Sequence, residues 1–199
     1  GVGDSDRMVE RTFADLGIEG LPNTSITAVR DDEIELAGGR TLPFAYSMIV
    51  PPFGGVEVVG ATPGLANDAG FIPVTDEFRH PEREEVFAAG VDIAIAPPQT
   101  TMVPAGVPKT GYMSEQMAKV AAQNIAADLG RGEGRRVPID ELGAICILDG
   151  GDTGIILKTD RVLGDAAHPH LMAGPQAHWA KLAFERFFLA TRRRGHVHL

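Results

Sequence analysis

Cys146 is the only thiol in the chain. It stands between Ile145 and Ile147, a few residues before Gly151-Asp152-Thr153-Gly154. With no second cysteine it cannot close an internal disulfide, so it is either inert core packing or a thiol with a task. A second place with chemical potential is Lys109-Thr110-Gly111, which opens the longest regular helical pattern of the chain. A helix start leaves backbone N–H groups without acceptors and carries the positive end of the helix dipole, and Lys109 adds a full charge. The same residues also suit an ordinary exposed helix start. Gly90, which ends the apolar run Val86-Phe87-Ala88-Ala89, is the kind of residue that lets a backbone approach a ligand closely. The histidines invite a metal reading, but His168-Pro169-His170 has no Cys or carboxylate partners at ligand spacing, and His196 and His198 lie in the tail. No metal is expected.

These groups need a scaffold, and the composition supplies a folded one. The chain has 199 residues, 44% of them apolar and 23% charged, enough to bury a substantial core. A formal charge of -9 disfavours a general grip on nucleic acid. The charge is uneven: residues 1–36 carry nine acidic and three basic side chains, residues 170–199 one acidic and five basic. The longest uncharged runs, residues 41–56 and 93–108, are 16 residues each and contain prolines, so neither makes a membrane-spanning helix. There is no secretory signal at the start, and the chain opens Gly1-Val2-Gly3-Asp4 without an initiator Met. It is expected to be processed or cut from something longer.

Hydrophobic spacing orders the elements. Asp4 or Ser5 caps a helix to about Leu16, with Met8, Val9, Thr12, Phe13 and Leu16 on one face and Gly17 as its stop. Residues 25–30 and 33–37 read as a hairpin around Asp31-Asp32. Tyr46-Ser47-Met48-Ile49-Val50, ended by Pro51-Pro52, reads as a strand buried on both faces, as in a parallel sheet. Residues 86–90 read as a further short strand. A helix follows to about Leu129, with Met113, Met117, Val120, Ala121 and Ile125 facing one way. Residues 144–148 and 155–157 then flank a glycine-rich hairpin loop at 149–154. The order helix, hairpin, buried strand is the closing half of a nucleotide-binding α/β domain, without the opening βαβ unit and its glycine-rich turn.

The last helical pattern, residues 176–191, puts Trp179, Ala183, Phe187 and Ala190 on one side, Phe184 and Phe188 on the flank, and three arginines directly after it. That suits a helix lying in a membrane interface, with the arginines at anionic headgroups. It equally suits a helix that closes the protein's own core or a dimer contact.

The run Val86-Phe87-Ala88-Ala89-Gly90-Val91, the run Pro104-Ala105-Gly106-Val107-Pro108-Lys109-Thr110-Gly111-Tyr112-Met113-Ser114-Glu115-Gln116-Met117, the segment 46–53, Cys146 ahead of Gly151-Asp152-Thr153-Gly154, and His178-Trp179-Ala180-Lys181 together resemble the sulfide:quinone oxidoreductases. These are flavoproteins of the FAD-dependent disulfide-reductase superfamily. The resemblance covers nearly the whole chain. It implies an α/β fold: part of a Rossmann-like protein with two dinucleotide-binding domains, followed by a C-terminal α+β membrane-associating region. Residues 1–60 would end the second, NAD-like domain, residues 61–130 would return to the FAD-binding domain, and residues 131–199 would form the quinone- and membrane-associating region. The chain would be the C-terminal part of a protein about twice as long, peripheral to the cytoplasmic membrane. Alone it is expected to be inactive, to bind FAD poorly, and to expose apolar surface that invites self-association into a homo-oligomer.

The resemblance further implies that the full protein oxidises sulfide through two cysteines, passes the electrons to FAD and reduces a membrane quinone. Cys146 takes the place of the C-terminal redox cysteine, and its partner lies upstream. Gly90 and Val91 would bring backbone N–H groups to the FAD. The superfamily places Asp directly after that glycine, whereas here Asp92 comes one residue later. Lys109, Thr110 and Gly111 would face the flavin's pyrimidine edge. Gly111, Tyr112, Ile147 and Phe184 are the candidates for the quinone slot. A type II NADH:quinone dehydrogenase, which needs no thiol at Cys146, and a non-catalytic homologue that docks on a membrane are the competing readings.

Overall fold

The structure, a computed structural model, describes residues 5–96, 102–103, 109–149, 153–161 and 170–195. It divides into two compact units, the first formed by residues up to 108 except 76–78, the second by Asp76–Phe78 and the residues from Lys109 on.

In the first unit, helix α1 (Ser5–Asp15) stops where Gly17 takes φ 66°. The Ile18 N–H then reaches the Phe13 carbonyl at 2.8 Å and the Gly17 N–H the Ala14 carbonyl at 3.2 Å, a Schellman closure that a Cβ at position 17 would strain. Strands β1 (Ile26–Val29), β2 (Glu33–Leu36) and β3 (Thr41–Pro43) form an antiparallel meander, with Ile34 opposite both Val29 and Leu42. The expected hairpin is present. The third strand comes from the start of an uncharged run that spacing alone left unassigned.

Residues 46–50 depart from expectation. They form no strand, and Tyr46 and Met48 are 85% and 80% exposed. A strand buried on both faces needs a neighbour to take its N–H and C=O groups, and among the described residues none pairs with this one. Residues 86–90 differ as well. A single bridge joins Phe87 to Arg79, whose guanidinium lies 4.3 Å from the Phe87 ring centre, and the chain then tightens into a 3₁₀ turn at Gly90–Asp92. Beyond helix α2 (Glu57–Gly60), the Asn67 side chain organises a loop by accepting from the N–H groups of Ala69 and Phe71. Gly55 and Gly70 touch backbone to backbone there, where a Cβ on Gly55 would overlap the Gly70 carbonyl.

The second unit is organised by helix α3 (Gly111–Asp128), whose buried stripe of Met113, Met117, Val120, Ala121 and Asn124 follows helical spacing. A sheet follows from strands β4 (Ala144–Asp149), β5 (Gly154–Thr159) and β6 (His170–Ala173), antiparallel in that order. The apolar runs flanking the hairpin are strands as expected. The loop residues 150–152 lie outside the described residues, as do 104–108, His168, His196 and His198. Helix α4 (Pro175–Arg193) packs on all three strands, starting with Pro at its first position and burying Ala177.

Asn124 is the buried polar member of the α3 stripe. Its Nδ2 donates to the carbonyls of Glu77 (3.0 Å) and Arg135 (2.8 Å), and its Oδ1 accepts from the Arg135 N–H (2.7 Å). Asn124→Ala should destabilise the second unit by about 2–4 kcal/mol, since it deletes three hydrogen bonds and strands buried backbone groups. Denaturant unfolding followed by the fluorescence of Trp179, the sole tryptophan, measures this directly. An unchanged midpoint would refute it.

Candidate functional site

The start of α3 is fixed by Thr110. Its Oγ1 accepts from the Met113 N–H at 3.3 Å, and its carbonyl receives the Ser114 N–H at 2.9 Å and the Ser114 hydroxyl at 2.9 Å. Helix geometry leaves the Gly111 and Tyr112 N–H groups as the two first-turn donors without an intrahelical acceptor. Gly111 is exposed, with open space where a Cβ would sit. Tyr112 is exposed and Lys109 half-buried at the same end. One turn in, Glu115 pairs with Lys119 at 3.2 Å.

Cys146 sits mid-strand in β4, opposite Leu157 of β5, which in turn faces Leu171 of β6. Directly opposed residues of an antiparallel sheet share a face, and neighbours along a strand alternate. The thiol therefore shares its face with Leu148, Ile155, Leu157 and Leu171, while Ile145, Ile147, Ile156 and Met172 occupy the other. Cys146 itself is exposed. Its exposure argues against inert packing as the reading of the lone cysteine.

Helix α3 packs beside β4, and the Gln116 amide ties them by donating to the Gly143 carbonyl at 3.0 Å. Gly143 runs against β5 so closely that a Cβ would stand 2.9 Å from the Thr159 carbonyl. The α3 start and the thiol strand are thus held in one unit. Phe184, half exposed on α4, lies 6.0 Å from the Phe188 ring. Cys146 and Ile147, both expected near one ring, lie on opposite faces of the sheet. Gly90, Val91 and Asp92 belong to the first unit. There Gly90 is buried at φ 81°, Val91 and Asp92 are exposed, and the Asp92 carbonyl accepts from the Ile72 N–H at 2.8 Å. Leu157 and Leu171, which flank the thiol, escape a reading by motif. Leu171 lies on a four-residue strand with no alternation to mark it, and Leu157 is a neighbour only once the register is known. No group of three metal-binding side chains gathers among the described residues.

The thiol strand, the capped helix start and the helix-covered sheet belong to a mixed helix/strand architecture with two small antiparallel sheets. A crystal structure of the sulfide:quinone oxidoreductase from the hyperthermophilic bacterium Aquifex aeolicus superposes with a TM-score of 0.90 at 35% identity, covering 99% of this chain and 47% of that one. In sequence, the chain is 36% identical over 203 aligned positions to the sulfide-quinone reductase of Aquifex aeolicus, again 99% of this chain and 47% of the relative. The resemblance carried by the motifs is borne out in sequence and fold, and the chain spans about half the length of the relative it matches. No family model matches it.

An exposed thiol should react fully with a disulfide reagent in the folded chain, one equivalent per molecule and without denaturant. Reaction only after unfolding would return Cys146 to the core.

Proposed function

We propose that this chain is the C-terminal part of a flavoprotein that oxidises sulfide and reduces a quinone. The likeness to sulfide-quinone reductase over nearly its whole length carries the reading. An exposed thiol where the family has a redox cysteine supports it further. The relative's name favours sulfide over NADH as the donor.

The α3 start fits an FAD. Two first-turn N–H groups are free of intrahelical bonds, Gly111 presents no side chain, and Lys109 brings positive charge, so an edge that becomes negative on reduction would be stabilised there. Thr110 keeps those donors aimed outward by capping Met113 itself. The family resemblance gives Gly90, Val91 and Asp92, which belong to the first unit, a part in holding the FAD as well. When bound, the flavin would accept the electron pair released as sulfide sulfur is oxidised and hand it to the quinone.

Hydrosulfide would open a disulfide between Cys146 and an upstream cysteine, the new S–S bond forming as the old one breaks and one cysteine leaving as thiolate, and the electron pair would then pass to the bound FAD. The aliphatic face around Cys146, formed by Leu148, Ile155, Leu157 and Leu171, would limit water at the sulfur. For the quinone, Gly111, Tyr112 and Phe184 would offer apolar walls, with Ile147 contributing from the far face of β4. Attachment to the membrane surface through α4 would bring the site to a quinone dissolved in lipid. No described helix is long and apolar enough to cross a membrane.

In the longer protein that this chain matches in part, Cys146→Ser should abolish sulfide-dependent quinone reduction, a loss of at least about a thousandfold as for removal of a covalent nucleophile. The flavin absorbance should be unchanged. Near-normal turnover in that variant would sink the assignment.

A further inference from the structure

We propose that Gln116 is a positioning residue for the transfer of electrons from sulfur to flavin, because its side-chain amide joins the start of α3 to the strand that carries Cys146. This rests on the flavoprotein reading put forward above and adds a residue that neither holds the flavin nor touches the thiol.

Gln116 is half-buried on α3, at the edge of the stripe formed by Met113 and Met117. Packing alone would accept a methionine or a leucine there. The amide instead meets two acceptors. Its Nε2 donates to the Gly143 carbonyl at 3.0 Å, 27 residues further along the chain, and makes a longer 3.4 Å bond to the Tyr112 carbonyl of its own helix. Carbonyl oxygens only accept, so the two hydrogens of one amide nitrogen can serve both. Tyr112 is the second residue of α3 and carries one of the two first-turn N–H groups without an intrahelical acceptor. Gly143 directly precedes β4. One nitrogen thus spans the turn that would face the flavin and the lead into the thiol strand.

The strand side of this tie has little slack. Leu142, next to Gly143, is 1% exposed, and a Cβ on Gly143 would stand 2.9 Å from the Thr159 carbonyl. Pairing with β5 begins at the next residue, Ala144 opposite Thr159, and runs without a break to Asp149 opposite Gly154. Cys146 lies three residues past Gly143, about 10 Å of extended strand. A displacement at Gly143 is therefore carried along a paired strand to the thiol, with no loop between them to absorb it. Reacting groups tolerate little of this, since a misplacement of about 1 Å can cost about a hundredfold in rate.

Two variants separate the donor from the bulk of the side chain. Gln116→Met keeps the volume and removes the donor, and Gln116→Lys keeps a donor on a longer stem. The first measurement needs no flavin. In the 199-residue chain a nitroxide attached to Cys146, the sole thiol, speeds the relaxation of the Gly111 and Tyr112 amide protons according to their distance from it. Gln116→Met should change that relaxation and Gln116→Lys should restore it, whereas parental relaxation in Gln116→Met would overturn the proposal. The second measurement mixes hydrosulfide rapidly with the longer protein that this chain matches in part. Flavin bleaching should slow at least about tenfold in Gln116→Met and recover in Gln116→Lys, with flavin content and reoxidation by quinone as in the parent. A tie that served stability alone would lower the unfolding midpoint and leave bleaching at the parental rate, which would also overturn the proposal, as would equal slowing of bleaching and reoxidation. A parent protein whose flavin fails to bleach with sulfide sinks the flavoprotein reading itself, and the proposal with it.

Discussion

Two side-chain amides on α3 determine where the thiol strand can lie. Asn124 binds the backbone at Glu77 and Arg135, and Gln116, eight residues earlier on the helix, binds the Gly143 carbonyl. Eight residues of helix span about 12 Å, so the irregular connector from α3 to β4 is fastened at its middle and at its end to one rigid rod. Residues 135–143 must fit that span. Ahead of the first tie, Gly130 and Gly132 turn the chain at φ 73° and 84°, and at Gly134 a Cβ would stand 2.7 Å from the Asn124 Oδ1. Any side chain at position 134 would therefore push on the amide that closes the connector. The position of Cys146 relative to the start of α3 is thus held by hydrogen bonds in which neither Cys146 nor Gly111 takes part.

The same clamp accounts for an unfavourable backbone. Phe78 is fully buried at φ 57°, a left-handed conformation that costs a bulky residue of order 1–3 kcal/mol. Its predecessors are held on both sides. The Glu77 carbonyl takes an Asn124 donor, the Asp76 carbonyl takes the Val137 N–H at 2.8 Å, and Arg136 pairs with Glu77 at 3.7 Å. Burying the ring contributes about 2–3 kcal/mol, which offsets the strain. The exposed ion pair adds little.

Legibility in the sequence followed how local each signal was. Helices α1, α3 and α4 and the pairs β1–β2 and β4–β5 were readable because period and turn residues sit within the same short window. Residues 46–50 were misread for the opposite reason, since an apolar run states only that burial is wanted, while a strand also needs a partner for its backbone. Strand β6 has four residues and no alternation of polarity. Motif resemblance pointed to the α3 start and Cys146, and in the structure Gly111, Tyr112 and Cys146 are exposed. The exposure of the thiol was not legible, because Ala-Ile-Cys-Ile-Leu offers no polar face to distinguish one side from the other. The register settles which side is which, through β5 and β6.

Register also links chemistry to attachment. Helix α4 packs on the three strands that carry Cys146, and its first turn is tied in by the Gly174 N–H, which donates to the Gly154 carbonyl at the start of β5. A sheet of three paired strands bends far less easily than the loops around it. A surface held by the outward side of α4 would therefore stand at a constant depth from the thiol strand, whatever the irregular segments do. Apolar and basic residues are concentrated on α4, which packs on the same sheet as the sulfur. An anchor elsewhere on the chain, on the acidic first 36 residues for instance, would leave the distance between lipid and thiol to be set by connectors.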